Sequence, residues 1–178
     1  MNRMCTGGAM KHQRGATAVE LALVFPVFFI FFYGCLMYGL IFLMRMGIQH
    51  AAEDGARAAL SNQVITYTAG QTAVQHRQAQ MLQRIQAAIQ TASARASWMS
   101  HWHALNINAY ICPVNVACPG SPMPDCNSTT PCQVVVTVSY PYATSPVLPT
   151  LPGFGLLAPS SLSGQARVLL DGRALPIT

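Results

Sequence analysis

The chain has 178 residues, of which 52% are hydrophobic and only 8% charged, against about 25% charged in a typical soluble domain. That composition excludes intrinsic disorder and argues against a free cytosolic monomer, whose surface needs more charge than this chain carries. The net charge of +5 is no nucleic-acid footprint, because Arg3, Lys11 and Arg14 concentrate at the N-terminus and the remainder is nearly balanced.

From Leu21 to Met44 no residue carries a charge. As a helix rising ~1.5 Å per residue this run covers about 36 Å, more than the ~30 Å hydrocarbon core of a bilayer. Only a helix satisfies its own backbone in lipid as a single open segment. The expectation is one membrane-spanning helix over residues 16–46, in contact with membrane lipid. Arg3, Lys11 and Arg14 precede it and Arg45 and Arg57 follow, a bias that places the N-terminus in the cytoplasm. Tyr33 and Tyr38 lie within the run, so the span itself shows no clean aromatic belt. A cleaved secretory signal has a shorter apolar core that ends at small residues, whereas this one ends Met44-Arg45-Met46. A lipoprotein signal fails as well, since Phe32 and Tyr33 stand before Gly34-Cys35. Cys35 is expected as a buried free thiol.

Ahead of the span the sequence reads Lys11-His12-Gln13-Arg14-Gly15-Ala16-Thr17-Ala18-Val19-Glu20-Leu21. A single acid at the start of a membrane helix is costly in lipid and calls for a partner, or else lies at the interface where it favours the helix dipole. Glycine followed five residues later by glutamate resembles the processing site of type IV prepilins. Arg14-Gly15-Ala16-Thr17-Ala18-Val19-Glu20-Leu21-Ala22-Leu23-Val24-Phe25-Pro26 resembles more narrowly the N-terminus of TadE-like pseudopilins of tight-adherence (Flp-type) pilus systems, with Leu21 a departure from the common Phe. Past the span, Ala51-Ala52-Glu53-Asp54-Gly55-Ala56-Arg57-Ala58-Ala59 is similar to the Ala-Ala-x-x-Gly-Ala-Arg-Ala-Ala segment of the same family. Beyond residue 60 the likeness is one of general layout. The resemblance implies a leader over residues 1–15, cleavage between Gly15 and Ala16 by prepilin peptidase, and an assembly role for Glu20. It further implies other pilin or pseudopilin subunits and the pilus assembly platform as partners. The setting would be the bacterial inner membrane, with the C-terminal head periplasmic.

The small residues Ala51, Ala52, Gly55, Ala56, Ala58 and Ala59 form a helical surface that either lets another helix approach closely or simply continues a stalk. Ser61 to Gly70 interrupts the pattern. From about Gln71 to His103, Val74, Met81, Leu82, Ile85, Ala88, Ile89, Ala92, Ala96, Met99 and Trp102 hold one face of an amphipathic helix, with Arg84 among the residues of the other sides. Residues 47–104 thus read as helical stalk and amphipathic helix.

Residues 105–178 read as a small β-rich head. Strands are expected where Leu105, Ile107, Ala109 and Ile111 alternate with polar residues, over Gln133–Tyr140, and at Ala166, Val168 and Leu170. The fold class is therefore α+β: a long N-terminal membrane helix, a second amphipathic helix and a small antiparallel sheet. The proline-rich connection Pro141–Gly164 carries Leu148, Leu151, Phe154, Leu156 and Leu157, expected to lie across the sheet. Cys112, Cys118, Cys126 and Cys132 flank or occupy the loop between the first two strands. Their spacing lacks the tight C-x2-C pairs of zinc modules, so two disulfides are expected and no metal. A nested arrangement, 112–132 with 118–126, clips the base and tip of a hairpin loop, but setting 112 opposite 132 mismatches the apolar faces unless a bulge intervenes. The alternative, 112–118 with 126–132, stays open.

No phosphate loop, nucleophile elbow or zinc-protease motif is present. Glu53 and Asp54 are neighbours that point apart on a helix, and His101 and His103 converge only if extended. The expectation is a non-enzyme with no cofactor. Two functions follow: a minor pseudopilin of a tight-adherence pilus, or an unprocessed single-span envelope protein whose outer head scaffolds or binds a partner complex.

Overall fold

A computed structural model describes residues 13–61, 70, 72–114, 118, 126, 130–149 and 158–170. Of the expected leader, only 13–15 fall among them.

Helix α1 runs unbroken over Gln13–Ala58, so the span and the stalk are one helix. Pro26 lies inside it. Stacked pairs at i, i+4 line its apolar surface: Phe25 with Phe29, Phe28 with Phe32 and Phe29 with Tyr33, with ring centroids 6.1, 6.1 and 6.4 Å apart. The chain divides into two compact units, residues 1–41 and 42–178. In the first, the apolar side chains of Val19 to Phe32 are exposed almost all round the helix, as a lipid-facing span requires. Cys35 is free and exposed rather than buried.

The second unit is built from the end of α1, from Phe42 onward, helices α2 (Ala73–Arg95) and α3 (Ser97–Ser100), and strands β1 (Asn106–Pro113), β2 (Cys132–Tyr140) and β3 (Leu162–Leu170). Gly70 turns the chain with φ 95°, a conformation that side chains resist. Thr72 then starts α2 through a capping box: its hydroxyl accepts from Gln75 N while the Gln75 side chain accepts from Thr72 N. The expected single helix to His103 is divided at Ala96.

The three strands form an antiparallel sheet in the order β1-β2-β3. Ile111 faces Val134 and Ala109 faces Val136 across one ladder, while Val168 and Ala166 face the same two valines across the other. These alternate positions make the inner face, against which α1 and α2 pack. Cys112 stands opposite Gln133, and Cys132 opposite Pro113. This register keeps the apolar faces matched without a bulge and puts the Cys112 and Cys132 side chains on opposite faces. Each cysteine therefore pairs locally: Cys112 with Cys118 and Cys126 with Cys132, at Cα separations of 6.2 and 5.6 Å. Of the apolar residues in the connection between β2 and β3, Leu148 is half-buried, and Leu151, Phe154, Leu156 and Leu157 lie outside the described residues.

The buried face of α2 and its continuation keeps Met81, Ala88, Ala92, Ala96 and Met99 of the expected stripe and adds His76, Gln80 and Arg84, whereas Val74 and Leu82 are exposed, as is Trp102 beyond the helix.

Candidate functional site

The first candidate region is the N-terminal turn of α1. Gly15, Ala16 and Glu20 all belong to this helix. Glu20 is exposed and engages no hydrogen-bond or ion-pair partner among the described residues. Four residues separate it from Ala16, about 6 Å along the axis. One face of this helix thus presents a carboxylate at the head of an apolar run. It can act as an acceptor or counter-charge for a neighbouring molecule.

The second region is the small-residue surface. Ala51, Ala52, Ala56 and Ala59 are fully buried, and Gly55 is the closest point of the packing. A methyl group placed on Gly55 would come within 2.9 Å of Ala88 O, 3.0 Å of Ala92 Cβ and 3.4 Å of Val136 Cγ1. The surface does admit a helix at close range, and that helix is the chain's own α2. Around this seam Glu53 accepts from Gln49 Nε2 at 3.0 Å, while Asp54 faces Arg95 Nε at 3.1 Å and Arg57 at 3.8 Å. The two neighbouring acids point apart. The Asp54 pairs are largely solvated and contribute little stability.

Arg84 is the charged residue that helical periodicity misplaces. Its side chain is buried, and Nη1 donates to Ala59 O at 3.1 Å, just past the end of α1. The guanidinium thereby satisfies one of the carbonyls a helix terminus leaves open and meets the negative end of its dipole. Desolvation by burial lowers the pKa of Arg84 from its ordinary value. The signal in the sequence was its spacing, three after Met81 and four before Ala88, in the middle of the stripe.

At the far end of α2, Nδ1 of His103 lies 3.0 Å from Ser145 Oγ, and its ring meets Tyr140 edge-on at 6.3 Å. Among the described residues, no group of three or more histidine, cysteine or acidic side chains is assembled for a metal.

Residues 15–57 match the family model described as TadE-like protein. The matched segment begins at Gly15, includes Glu20 and ends one residue before α1 does, so it coincides with the helix and does not reach α2 or the sheet. No curated protein and no solved structure matches the chain.

Proposed function

Since its N-terminal helix is TadE-like and associates the chain with the tight-adherence pilus system, we propose that this protein is a pseudopilin-like subunit of that machinery, processed by prepilin peptidase after Gly15. The observation that carries this reading is the coincidence of three features on one helix. These are Gly15-Ala16 at its start, an acid at Glu20 with no partner among the described residues, and an exposed apolar surface behind them. The basic residues before Gly15 hold the N-terminus in the cytoplasm, where the leader is removed, and the disulfide-bearing head stands in the oxidising periplasm. The head is then the part offered to other pilus subunits, on a helix that remains in lipid.

Intact-mass analysis of membrane-extracted protein tests the reading. Co-expression with the peptidase is expected to yield a mature chain beginning at Ala16. Full retention of the leader in the presence of active peptidase would exclude the pseudopilin assignment.

A further inference from the structure

The chain has two tryptophans, and both lie just after α2: Trp98 in α3 and Trp102 in the turn that follows. They meet edge-to-face with ring centroids 6.0 Å apart, yet Trp98 is 42% exposed and Trp102 50%. An edge-to-face contact adds little beyond the area it buries, which gives no reason for two indoles to face outward. Their position along α1 does. A methyl group on Gly47 would come within 2.7 Å of Trp98 Cζ2, so the ring of Trp98 rests directly on that residue. Gly47 is three residues past Met44, the last of the uncharged run, or about 4.5 Å along the helix. At the same level Phe42, Arg45, Met46, Gln49 and His50 of α1 line, with Ser163 of β3, a pocket of about 290 Å³. Arg45 is the first charge after the span and forms no ion pair among the described residues. A bilayer surface takes this combination of groups. Indoles favour the headgroup region, where the ring is half buried and the N–H is wet, and a cation at the end of a span reaches lipid phosphates.

We propose that Trp98 and Trp102 are an interfacial lipid anchor, which seats the head at headgroup depth on the leaflet from which α1 emerges, with Arg45 facing lipid phosphate. Phe42 and Leu43, near the end of the uncharged run, are likewise exposed. The aromatic belt that the span lacks is supplied from far downstream in the sequence, by residues outside the TadE-like segment. The proposal rests on the single-span reading of α1 and not on cleavage or pilus assembly.

Because there are only two tryptophans, indole fluorescence reports this site alone. The test uses the full chain in liposomes of phosphatidylethanolamine and phosphatidylglycerol, with Trp98→Phe and Trp102→Phe each leaving one indole and an aromatic ring at the other position. Lipids brominated close to the glycerol backbone should quench roughly half or more of the emission in both variants, and lipids brominated near the chain ends should quench little. Flotation of the liposomes reports the span separately. Protein that floats but resists both brominated lipids and is quenched by aqueous acrylamide overturns the anchor alone. Stronger quenching by the deep bromines overturns the headgroup placement. Failure to float removes both the span and the anchor.

Discussion

The carboxamide of Gln49 holds both backbone groups of Gln165: its Oε1 accepts from Gln165 N at 3.3 Å, and its Nε2 donates to Gln165 O at 3.2 Å. Strand β3 is an edge of the sheet, and an unpaired edge is a template for unwanted strand addition. Here a helix side chain occupies the place that a fourth strand would take. The approach depends on the preceding residue, since a methyl group on Gly164 would lie 2.9 Å from both N and Cα of Gln49. The end of the membrane helix and the edge of the sheet are thus joined by a glycine and a glutamine that fit one another.

Gln49→Ala should lower the stability of the head by about 1–3 kcal/mol, two bonds at a net of about 0.5–1.5 kcal/mol each. Hydrogen exchange of the Gln165 amide should speed up selectively. Gln49→Glu should rescue nothing, because a carboxylate cannot donate to Gln165 O and is repelled by Glu53, which accepts from the same amide nitrogen. An unchanged Gln165 exchange rate in Gln49→Ala would show that the clamp does not hold in solution.

Gly55 tests the seam between α1 and α2. Alanine gains about 1 kcal/mol in helix propensity but forces its methyl group against a backbone oxygen, and overpacking of this kind costs typically about 1–3 kcal/mol. The net expectation for Gly55→Ala is a fall in the melting temperature of the head, and a larger fall for Gly55→Val. Gly39→Ala is the control, since a methyl group there meets nothing within 4 Å. It should leave the head transition where it is. Equal effects at the two glycines would remove the argument from close approach.

Alkaline pH should act through Tyr140. The side chain is fully buried and its hydroxyl donates to Ser145 O at 2.8 Å, so desolvation raises its pKa above the ordinary 10.0. The unfolded phenol ionises near pH 10 and the folded one only higher. The stability associated with the neutral ring is therefore fully present below pH 10 and is lost as pH rises from there through the folded pKa. Tyr140→Phe should cost about 1 kcal/mol at neutral pH and flatten the alkaline fall. Melting curves between neutral pH and pH 11 distinguish the two slopes, and parallel curves would exclude Tyr140 as their source.

The elements were legible where the chain repeats a simple period. The uncharged run, the alternation of β1 and β3 and the valines of β2 each specify a backbone by which faces they must hide, and all three strands and the α+β arrangement follow. What the sequence left open was decided by pairs distant along the chain. Cysteine connectivity turned on a strand register that places Cys112 and Cys132 on opposite faces. Arg84 looked like a solvated residue until the end of α1 arrived beside it, and Gln49 looked like an ordinary helix surface residue until β3 did. At the proposed processing site the residue types and their spacing along one helix are all that bears on the reading.

The proposed role of Glu20 rests on its place near the start of α1. Cleavage after Gly15 would create a positively charged amine on Ala16, about 6 Å along the axis from Glu20. The two groups lie on one straight helix, where the carboxylate does not readily reach its own amine, and Glu20 is exposed with no partner among the described residues. Its natural counter-charge is the N-terminal amine of a neighbouring processed helix. In lipid such a pair relieves two costly charges together, while an isolated carboxylate is driven towards its protonated form. On the proposed reading Glu20 would act as a register device for lateral insertion beside another pilin-like subunit. Glu20→Ala should leave expression, membrane insertion and cleavage at Gly15 largely intact, but weaken co-purification with pilus components and lower piliation. If the carboxylate merely favoured its own helix dipole, the substitution would cost about 0.3–1 kcal/mol and assembly would be normal. Wild-type pilus numbers and partner recovery in a Glu20→Ala strain would eliminate the assembly role, whereas loss of piliation with intact processing is the result expected of an intermolecular pair.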